Sequence, residues 1–520
     1  MEVVEKIKLP RIQNFDFIPI GWKLHHLKQM DMHRTYITFK LYYKRTEVQH
    51  FWYTHTISTT LFLPIGPIMI LCTLFFIIFC LCKLVFLKRE SCCYMLAYEC
   101  YKAPEDRKLD TETSAKIVFR NKNLGIEEYK FLLHTIVSSG IGEGTYVPRN
   151  IISGQEDSST LKVSITEMDD LIFDTLDKLF AKTGISPSEI DILVVNVSLF
   201  SPAPSLAARV VNRYKMRSNV KTFNLSGMGC SASVVSIDLV QHLFKSHKNA
   251  FAVVVSTESI GPNWYQGKEK SMMLSNCLFR SGGCSMLFTN NSALKRQAIF
   301  RLKHLVRTHL GSKDESYGCC TQTVDDLGYK GFLLTKSLKK SAAQALALNL
   351  RVLAPKMLPV SELIRYVYVS LREKKTKSTS IQEMGAGLNL KTGVDHLCIH
   401  PGGRAIIDEV GKSLGLSNYD LEPTRMALHR FGNTSAGGLW YVLAYMEAKQ
   451  RLKKGNKILM ISLGAGFKCN NCVWEVMRDL EDVNVWKDSI DQYPPETTVN
   501  PFIEKYSWIN EEYLSFVRFH

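Results

Sequence analysis

Apolar and polar positions along this chain alternate in a way that predicts a strand, a glycine turn and a helix at three separate places. At the first, an apolar run beginning at Phe223 passes through glycines into a predicted helix from Ala232 to Phe244. Apolar residues recur there at helical spacing, namely Val234, Val235, Ile237, Leu239, Val240 and Leu243. Val253–Val255 then opens another strand. The pattern places Cys230 at the helix N-terminus.

The second and third junctions carry two further polar side chains. A short apolar strand beginning at Val394 leads to His400, followed by a Pro-Gly-Gly turn and a predicted helix from Arg404 to Leu414. Asn433 stands in a glycine-flanked turn before a third apolar helix, from Leu439 to Leu452. Taken singly, a His or Asn at such a turn is more often a cap or turn residue. Three reactive groups at three such junctions instead favour a shared site.

Elsewhere the chain also alternates strands with helices. A predicted helix from Glu167 to Thr183 leads to a strand from Ile192 to Val197, and a strand from Ile458 to Leu463 follows the helix that begins near Leu439. This alternation predicts an α/β architecture with mostly parallel strands.

An uncharged run from Leu61 to Cys82 predicts a transmembrane helix. It is long enough to cross a hydrocarbon core of about 30 Å, and Phe51–Tyr53 precede it as an interfacial belt. It starts too far from Met1 for a cleaved signal peptide. Lys83, Lys88 and Arg89 follow closely. Because basic flanks stay cytoplasmic, we expect the C-terminal part to face the cytosol.

Composition narrows the partners and the compartment. The 520 residues carry a formal net charge of +16 without a nucleic-acid-binding motif, which favours an anionic membrane surface or a phosphate-bearing ligand over nucleic acid as the partner. Fourteen irregularly spaced cysteines indicate a reducing compartment. Cys469 and Cys472 have C-x-x-C spacing, but no second pair lies at zinc-ligand distance, so a metal site is not predicted.

Cys230 is the candidate nucleophile. At a helix N-terminus the free N–H groups and the helix dipole favour thiolate over thiol, and the thiolate is the reactive form. The alternative is a buried structural cysteine, since free Cys is among the most buried residue types. The residues alone leave both interpretations open.

The chain resembles a known family, the plant 3-ketoacyl-CoA synthases, which are the membrane-bound condensing enzymes of fatty-acid elongation within the thiolase-like superfamily. The resemblance runs from about Tyr98 to Ile509. The segments that carry it are Tyr98–Lys102, Val137–Glu143, Ile185–Asp191, Leu225–Ser233, Asn276–Gly283, His429–Ser435 and Gly464–Asn470. It implies a thiolase-like α/β fold of two duplicated βαβαβ halves in an α-β-α-β-α arrangement, preceded by a transmembrane helix, with the site between the halves.

By this resemblance Cys230 accepts the acyl group, while His400 and Asn433 form the site that handles malonyl-CoA. The family also draws attention to three other histidines at matching motif positions, His309, His396 and His429. Residue chemistry favours a structural or supporting role for those three, because a His near an apolar strand is usually a hydrogen-bonded core residue.

The implied activity is decarboxylative condensation of malonyl-CoA with a long-chain acyl-CoA, giving a 3-oxoacyl-CoA two carbons longer, CO2 and CoA. Neither a metal nor a redox cofactor is required. The resemblance further implies a homodimer in the endoplasmic reticulum membrane and an elongase complex with a ketoacyl-CoA reductase, a hydroxyacyl-CoA dehydratase and an enoyl-CoA reductase. Such synthases commonly begin with two adjacent hydrophobic spans, whereas residues 1–50 offer none.

We expect six regions in chain order. They are a basic N-terminal segment (1–57), a transmembrane anchor (58–87), a first half with the nucleophile (88–310), a connecting region with an apolar subdomain and a basic loop (311–384), a second half with His and Asn (385–480) and a C-terminal tail (481–520). Within the connecting region the apolar stretch from Ala343 to Leu371 fits an acyl tunnel, a bilayer contact or an ordinary packed helical subdomain.

Two other functions remain open at this point. A papain-like thiol hydrolase also uses Cys, His and Asn in this chain order, but Cys230 lacks the aromatic residue that follows the papain-type nucleophile. A catalytically silent membrane scaffold within an elongase assembly would not need Cys230, His400 and Asn433 intact.

Overall fold

The computed structural model describes residues 73–78, 92–156, 160–374 and 387–510. The chain divides into two compact units, Met1–Ile78 and Phe79–His520. In the first unit, residues 73–78 are helical. The predicted basic segment, most of the predicted span Leu61–Cys82 and the end of the tail lie outside the described residues. None of the helices in the described ranges is both long and apolar enough to span a membrane.

Eleven strands are described in the second unit. Most are rich in β-branched and other apolar residues, as in the run of valines of the fourth strand. In chain order they are β1 Tyr94–Cys100, β2 Ile190–Val197, β3 Lys221–Leu225, β4 Phe251–Thr257, β5 Gly283–Thr289, β6 Phe300–His309, β7 Cys320–Val324, β8 Lys330–Leu334, β9 His396–Ile399, β10 Lys457–Gly464 and β11 Lys468–Val476.

The helices of this unit begin and end at ordinary signals. Helix α4 starts after the Thr160 side-chain cap and stops at Gly184, whose left-handed conformation ends a helix without strain. In chain order the helices are α1 Thr111–Arg120, α2 Ile126–Ser139, α3 Arg149–Ile152, α4 Leu161–Thr183, α5 Leu206–Tyr214, α6 Ala232–Leu243, α7 Lys270–Leu278, α8 Asp314–Tyr317, α9 Leu338–Met357, α10 Val360–Lys374, α11 Arg404–Leu414, α12 Asn418–Phe431, α13 Gly438–Ala448 and α14 Phe502–Tyr506.

Nine strands form one mixed sheet in the order β3-β2-β4-β5-β1-β6-β11-β10-β9, and β7 and β8 form a separate hairpin. Only two residue pairs join β1 to β6, so the sheet is narrow at that point. On each side of this join the strand pattern repeats. The order β2-β4-β5-β1 has the same directions as β9-β10-β11-β6, with one parallel pair followed by two antiparallel pairs. This repeat is the duplication implied by the resemblance.

Three apolar cores separate the layers. The first is shared by both halves of the sheet and contains α6 and α13, including Val234, Ile237, Trp440 and Leu443. The second packs α9 and α11 on the outer face of the second half, and the third packs α4 and α5 on the outer face of the first half. The layers therefore follow the predicted α-β-α-β-α order.

One prediction about the sheet is wrong. We expected mostly parallel strands, but five of the eight neighbouring pairs in the described sheet are antiparallel. In each half one strand is followed by a neighbour that runs in the opposite direction, β4 by β5 and β10 by β11. A parallel neighbour would need a crossover connection that carries the chain back to the end of the sheet where the previous strand began. Strand β6, which ends at residue 309, pairs with β11 along its length and so lies in the second half of the sheet.

The connecting region is helical where it is described. Helix α9 buries Ala345, Leu350 and Leu353 in the core of the second half. This part of the connecting region therefore packs in the core of the second half. Residues 375–386, which include most of the predicted basic loop, lie outside the described residues.

Candidate active site

Cys230 lies where β3 passes through a glycine turn into α6, as the sequence predicts. Gly227 and Gly229 both have positive φ, at 66° and 68°, and residues Gly229–Ser231 form a single 3₁₀ turn before the helix. A side chain at Gly229 would place its Cβ 2.5 Å from the backbone nitrogen of Ala465. The nucleophile turn and the glycine loop after β10 can therefore approach this closely only because Gly229 has no side chain.

His400 follows the last residue of β9, and its backbone nitrogen donates a hydrogen bond to the Ile461 carbonyl at 2.9 Å. Its imidazole is buried, and its Nδ1 atom has no hydrogen-bond partner in the described structure. Burial lowers the pKa of His400 to about 4. The ring is therefore neutral at physiological pH and has one N–H to donate.

Asn433 is fixed by its backbone and by its side-chain oxygen. Its nitrogen donates to the Leu278 carbonyl and its carbonyl accepts from the Arg280 nitrogen, both at 3.0 Å. The side-chain Oδ1 accepts from the Ser435 nitrogen at 2.9 Å, and Nδ2 lies 3.4 Å from the Gly402 carbonyl. Because Oδ1 already accepts a hydrogen bond from the Ser435 nitrogen, the group that Asn433 can offer in the site is its amide N–H.

These three side chains line one cavity of about 320 Å³. The glycine loop after β10 forms another wall through Leu463, Gly464 and Ala465. The structure therefore brings together the three groups that the sequence placed at separate junctions. One comes from the first half of the fold and two come from the second.

The expected thiolate is not supported. Burial raises the pKa of Cys230 to about 12; the Ser435 hydroxyl lowers it by less than burial raises it, and the Glu258 carboxylate adds a smaller increase. The helix N-terminus favours a negative sulfur, but removing the thiol from water outweighs that effect here. Burial therefore favours the thiol form of Cys230 at rest.

Two residues of the site were missed by the sequence analysis. The Ser435 Oγ atom lies 3.7 Å from the Cys230 sulfur and 3.0 Å from Glu258 Oε2. Glu258 is buried, and its Oε1 accepts from the Leu199 nitrogen at 2.8 Å. Their positions in the sequence could have indicated them. Glu258 comes shortly after the predicted Val253–Val255 strand, and Ser435 is the last residue of the family segment His429–Ser435.

The remaining three predicted histidines do not line this cavity. His396 begins β9, at the opposite end from His400 and about 13 Å along the strand, and its Nε2 lies 3.3 Å from Asn456 Oδ1. His429 Nδ1 lies 2.9 Å from the Tyr493 hydroxyl. His309 is exposed at the end of β6, where its Nδ1 accepts from the Gly311 nitrogen at 2.9 Å. Burial lowers the pKa of all three.

The described ranges hold no group of three or more His, Cys, Asp or Glu side chains arranged to bind a metal ion. Cys469 and Cys472 are buried in β11, as structural cysteines commonly are.

Solved structures share this fold at low sequence identity. A fungal type III polyketide synthase, ORAS, aligns with a TM-score of 0.58 and 17% identity over 74% of this chain and 99% of its own. CsyB complexed with CoA-SH aligns with a TM-score of 0.55 and 16% identity over 74% of this chain and 100% of its own. The fold and the arrangement of the cavity define a thiolase-like α/β protein.

Sequence relatives identify the family. The family described as FAE1/Type III polyketide synthase-like protein matches residues 85–376, and that described as 3-oxoacyl-[acyl-carrier-protein (ACP)] synthase III C terminal matches residues 386–476. From Arabidopsis thaliana, 3-ketoacyl-CoA synthase 19 is 63% identical over 87% of this chain and 98% of its own length. 3-ketoacyl-CoA synthase 3 of the same plant is 54% identical over 84% of this chain and 95% of its own.

The chain belongs to the 3-ketoacyl-CoA synthases. The predicted family and the predicted enzyme class, a condensing acyltransferase, are confirmed.

Proposed function

We propose that this synthase condenses malonyl-CoA with a long-chain acyl-CoA in the first step of very-long-chain fatty acid elongation. The observation that carries the proposal is that Cys230, His400 and Asn433 line one cavity between the two halves of the fold. A nucleophile and two neutral donors around one space are the groups that acyl transfer followed by decarboxylation requires.

In the first step the Cys230 sulfur attacks the acyl carbonyl carbon. A new thioester bond forms, the bond to the CoA sulfur breaks, and the thiol proton ends on that CoA sulfur. Because the resting thiol is neutral, the proton needs a transient acceptor. Ser435 fits this role, since its Oγ lies 3.7 Å from the Cys230 sulfur and 3.0 Å from Glu258 Oε2. When the single hydroxyl hydrogen turns from the sulfur to Glu258, the Ser435 oxygen is free to accept the thiol proton. We assign Glu258 as the base that acts through Ser435.

In the second step malonyl-CoA loses CO2 and leaves its electron pair as an enolate. The neutral His400 ring and the Asn433 amide donate hydrogen bonds to the enolate oxygen. Both groups are buried, where such bonds are stronger than in water. Each donor of this kind typically lowers a barrier by about 3 to 4 kcal/mol.

In the third step the enolate carbon attacks the Cys230 thioester. A carbon–carbon bond forms, Cys230 leaves as a thiolate and then takes up a proton, and the 3-oxoacyl-CoA departs. The thioester oxygen becomes negative during this attack. We assign its stabilisation to backbone N–H groups, with the Cys230 amide and the Leu463–Phe467 loop as donors.

Basic residues stand where the charged CoA would enter. Lys336, Lys339 and Arg404 are part of the cavity lining. Lys336 precedes α9, Lys339 lies in its first turn, and Arg404 is the first residue of α11. We assign them to the CoA phosphates, which suit basic side chains as partners.

His309, His396 and His429 fit positioning roles. His396 holds the start of β9, the strand that precedes His400, and His429 fixes the end of α12 just before Asn433. A side chain at Gly466 would place its Cβ 3.6 Å from His309 Nε2, so that ring lies beside the glycine loop.

We further propose that the chain is held in the endoplasmic reticulum membrane by Leu61–Cys82, with its catalytic part facing the cytosol. The support is the uncharged run and its basic C-terminal flank. Homodimer formation and assembly with the reductases and the dehydratase rest on family membership alone.

The direct test supplies the full-length protein in membranes with labelled malonyl-CoA and a long-chain acyl-CoA. We expect release of CO2 with formation of the 3-oxoacyl-CoA, and loss of both in Cys230→Ala. Cys320→Ala is the matched control, because Cys320 is a second thiol in the same cavity lining. Acyl-CoA hydrolysis without condensation would instead identify a thiol hydrolase, and no turnover of either kind would identify a silent scaffold.

A further inference from the structure

A second carboxylate lies behind the one assigned as the base. Glu167, on α4, accepts hydrogen bonds from the Ile260 backbone nitrogen at 2.9 Å and from the Gly261 backbone nitrogen at 3.3 Å. The Ser259 hydroxyl donates to it at 3.3 Å. We call residues 258–261 the β4 loop, because it follows β4, and its first residue is the assigned base. Glu167 therefore holds the three residues that come directly after that base.

The β4 loop depends on Glu167 for its backbone hydrogen bonds. The loop is buried and leads into a single 3₁₀ turn, Gly261–Asn263. The first N–H groups of such a turn have no partner within it. In the described structure Glu167 is the acceptor for two of them, those of Ile260 and Gly261. Because a buried N–H without a partner is unfavourable, loss of this carboxylate would shift the loop.

Both oxygens of Glu167 are used as acceptors. Oε1 accepts from Ile260, and Oε2 accepts from Gly261 and Ser259. The packing at this point is close, since a side chain at Gly261 would place its Cβ 3.1 Å from Glu167 Oε2 and 2.8 Å from Asn150 Oδ1. A glutamine offers one oxygen and one NH2 group, so it cannot accept at both ends.

A shift of the β4 loop would reach the reacting sulfur. Glu258 Oε2 lies 3.0 Å from the Ser435 hydroxyl, which in turn lies 3.7 Å from the Cys230 sulfur. The second distance is already long for a hydrogen bond, so the chain of contacts has little tolerance. A displacement of about 1 Å is enough to slow a reaction strongly.

The two carboxyl groups also influence each other electrostatically. Burial raises the pKa of Glu167 to about 7; the hydrogen bonds from the loop lower it by less, and the Glu258 carboxylate adds a smaller increase. Burial raises the pKa of Glu258 as well. A change at Glu167 is therefore felt at Glu258 through charge as well as through the backbone.

We propose that Glu167 is a positioning residue for acyl transfer, which acts through the β4 loop to keep Glu258 within reach of Ser435. This inference rests on the proposed function, because it takes Glu258 as the base. Glu167 is not part of the cavity lining around Cys230, so it acts without touching the substrate.

Single-turnover acylation tests the proposal. Full-length protein in membranes is mixed with excess long-chain acyl-CoA without malonyl-CoA, and mass spectrometry follows acylation of the Cys230 peptide. Glu167→Gln should slow acylation about tenfold. The final acylated fraction and the acyl-CoA concentration that gives half the maximal rate should not change. The matched control is Asp174→Asn, which alters a carboxylate of the same helix that pairs with Lys178 at the surface and should leave the rate unchanged.

A double-mutant cycle separates positioning from a general loss of structure. Glu258→Gln should slow acylation by about 10² or more. Adding Glu167→Gln to it should slow acylation by less than about twofold further, because Glu167 acts through Glu258. Ser259→Ala removes one of the three hydrogen bonds to Glu167 and should slow acylation by about threefold.

The possible failures are distinguishable. An unchanged rate in Glu167→Gln, or a normal rate with a smaller acylated fraction, would leave Glu167 a structural role and overturn the proposal. A full tenfold further loss in the double variant would also overturn it, because Glu167 would then act independently of Glu258. An unchanged rate in Glu258→Gln would overturn the assignment of the base itself, and this inference with it.

Discussion

The two halves of the sheet repeat one arrangement but carry different chemistry. In the first half α6 leads to β4 and β5, and in the second half α13 leads to β10 and β11. Each of these helices follows a single 3₁₀ turn, Gly229–Ser231 in the first half and Ser435–Gly437 in the second. Cys230 and Ser435 therefore occupy corresponding turns of the duplication.

The strand ends correspond as well. His400 follows β9 in the second half, and β2 is the corresponding strand of the first half. Ser198 and Leu199 follow β2, and the Leu199 backbone nitrogen donates to Glu258. The first half thus supplies the nucleophile and a carboxylate, while the second supplies an imidazole, an amide and a hydroxyl. The fold therefore provides the same strand–turn–helix junction twice, and individual residues decide what each copy does there.

The largest expected effect separates the chemistry of the halves. Asn433→Ala removes a donor from the second half but leaves Cys230 intact. We expect acylation of Cys230 to continue while CO2 release falls by about 10² to 10³, which corresponds to about 3 to 4 kcal/mol. Mass spectrometry of the acylated peptide and labelled CO2 measure the two steps.

A control addresses the structural role of Asn433. Asn433→Asp keeps an oxygen for the Ser435 nitrogen but has no N–H to offer. It should lose CO2 release as Asn433→Ala does. Normal CO2 release in Asn433→Asp would show that the amide N–H is not the donor.

The next prediction is a change of stability with pH that comes from His400, a residue of the second half. The pKa of His400 is about 4 in the native protein and 6.5 as the ordinary value. Above pH 6.5 the ring is neutral in both states, whereas between 6.5 and 4 the unfolded chain binds the proton first. Native stability therefore falls as the pH falls, by about 3 kcal/mol in total.

Replacing His400 tests this sign. In His400→Gln the loss of stability between about pH 7.5 and about pH 5 should be smaller than in the unaltered protein. Denaturant unfolding at both pH values measures it, and the other histidines act as an internal reference because both proteins contain them. An identical loss in the two proteins would mean that His400 is not buried in its neutral form.

A smaller effect concerns the contact between the halves. Gly229→Ala should destabilise the protein by about 1 to 3 kcal/mol and slow acylation, because the added Cβ would lie 2.5 Å from the Ala465 nitrogen. Gly227→Ala is the control, since it has a similar positive φ but nothing within 4 Å of its added Cβ. Equal losses of stability and acylation rate in the two variants would attribute the effect to backbone strain instead of to the approach of the halves.

The smallest expected effect lies away from the cavity. His396→Ala removes the contact with Asn456 and should cost about 1 kcal/mol of stability. We expect kcat/KM to stay within about threefold of the unaltered protein, because the ring does not reach the cavity. A much larger loss of kcat/KM without a loss of stability would give His396 a direct catalytic role.

Local patterns were predicted well. The helix Arg404–Leu414 has the same ends in the structure as in the sequence prediction, and Cys230 lies at the predicted strand–turn–helix junction. Glycines and apolar spacing act on neighbouring residues, so such features can be recognised without tertiary information. The antiparallel direction of β5 and β11 was missed, since it depends on how the chain returns to the sheet.

By itself the sequence determined the family and predicted the three junctions and the three candidate site residues that stand at them. Only the tertiary structure decided which groups touch. Ser435 and Glu258 are 177 residues apart in sequence and meet through a hydrogen bond at the Cys230 turn. The protonation of Cys230 was likewise decided by folding, because a pKa responds to desolvation and nearby charge, and both arise only when distant segments close around the sulfur.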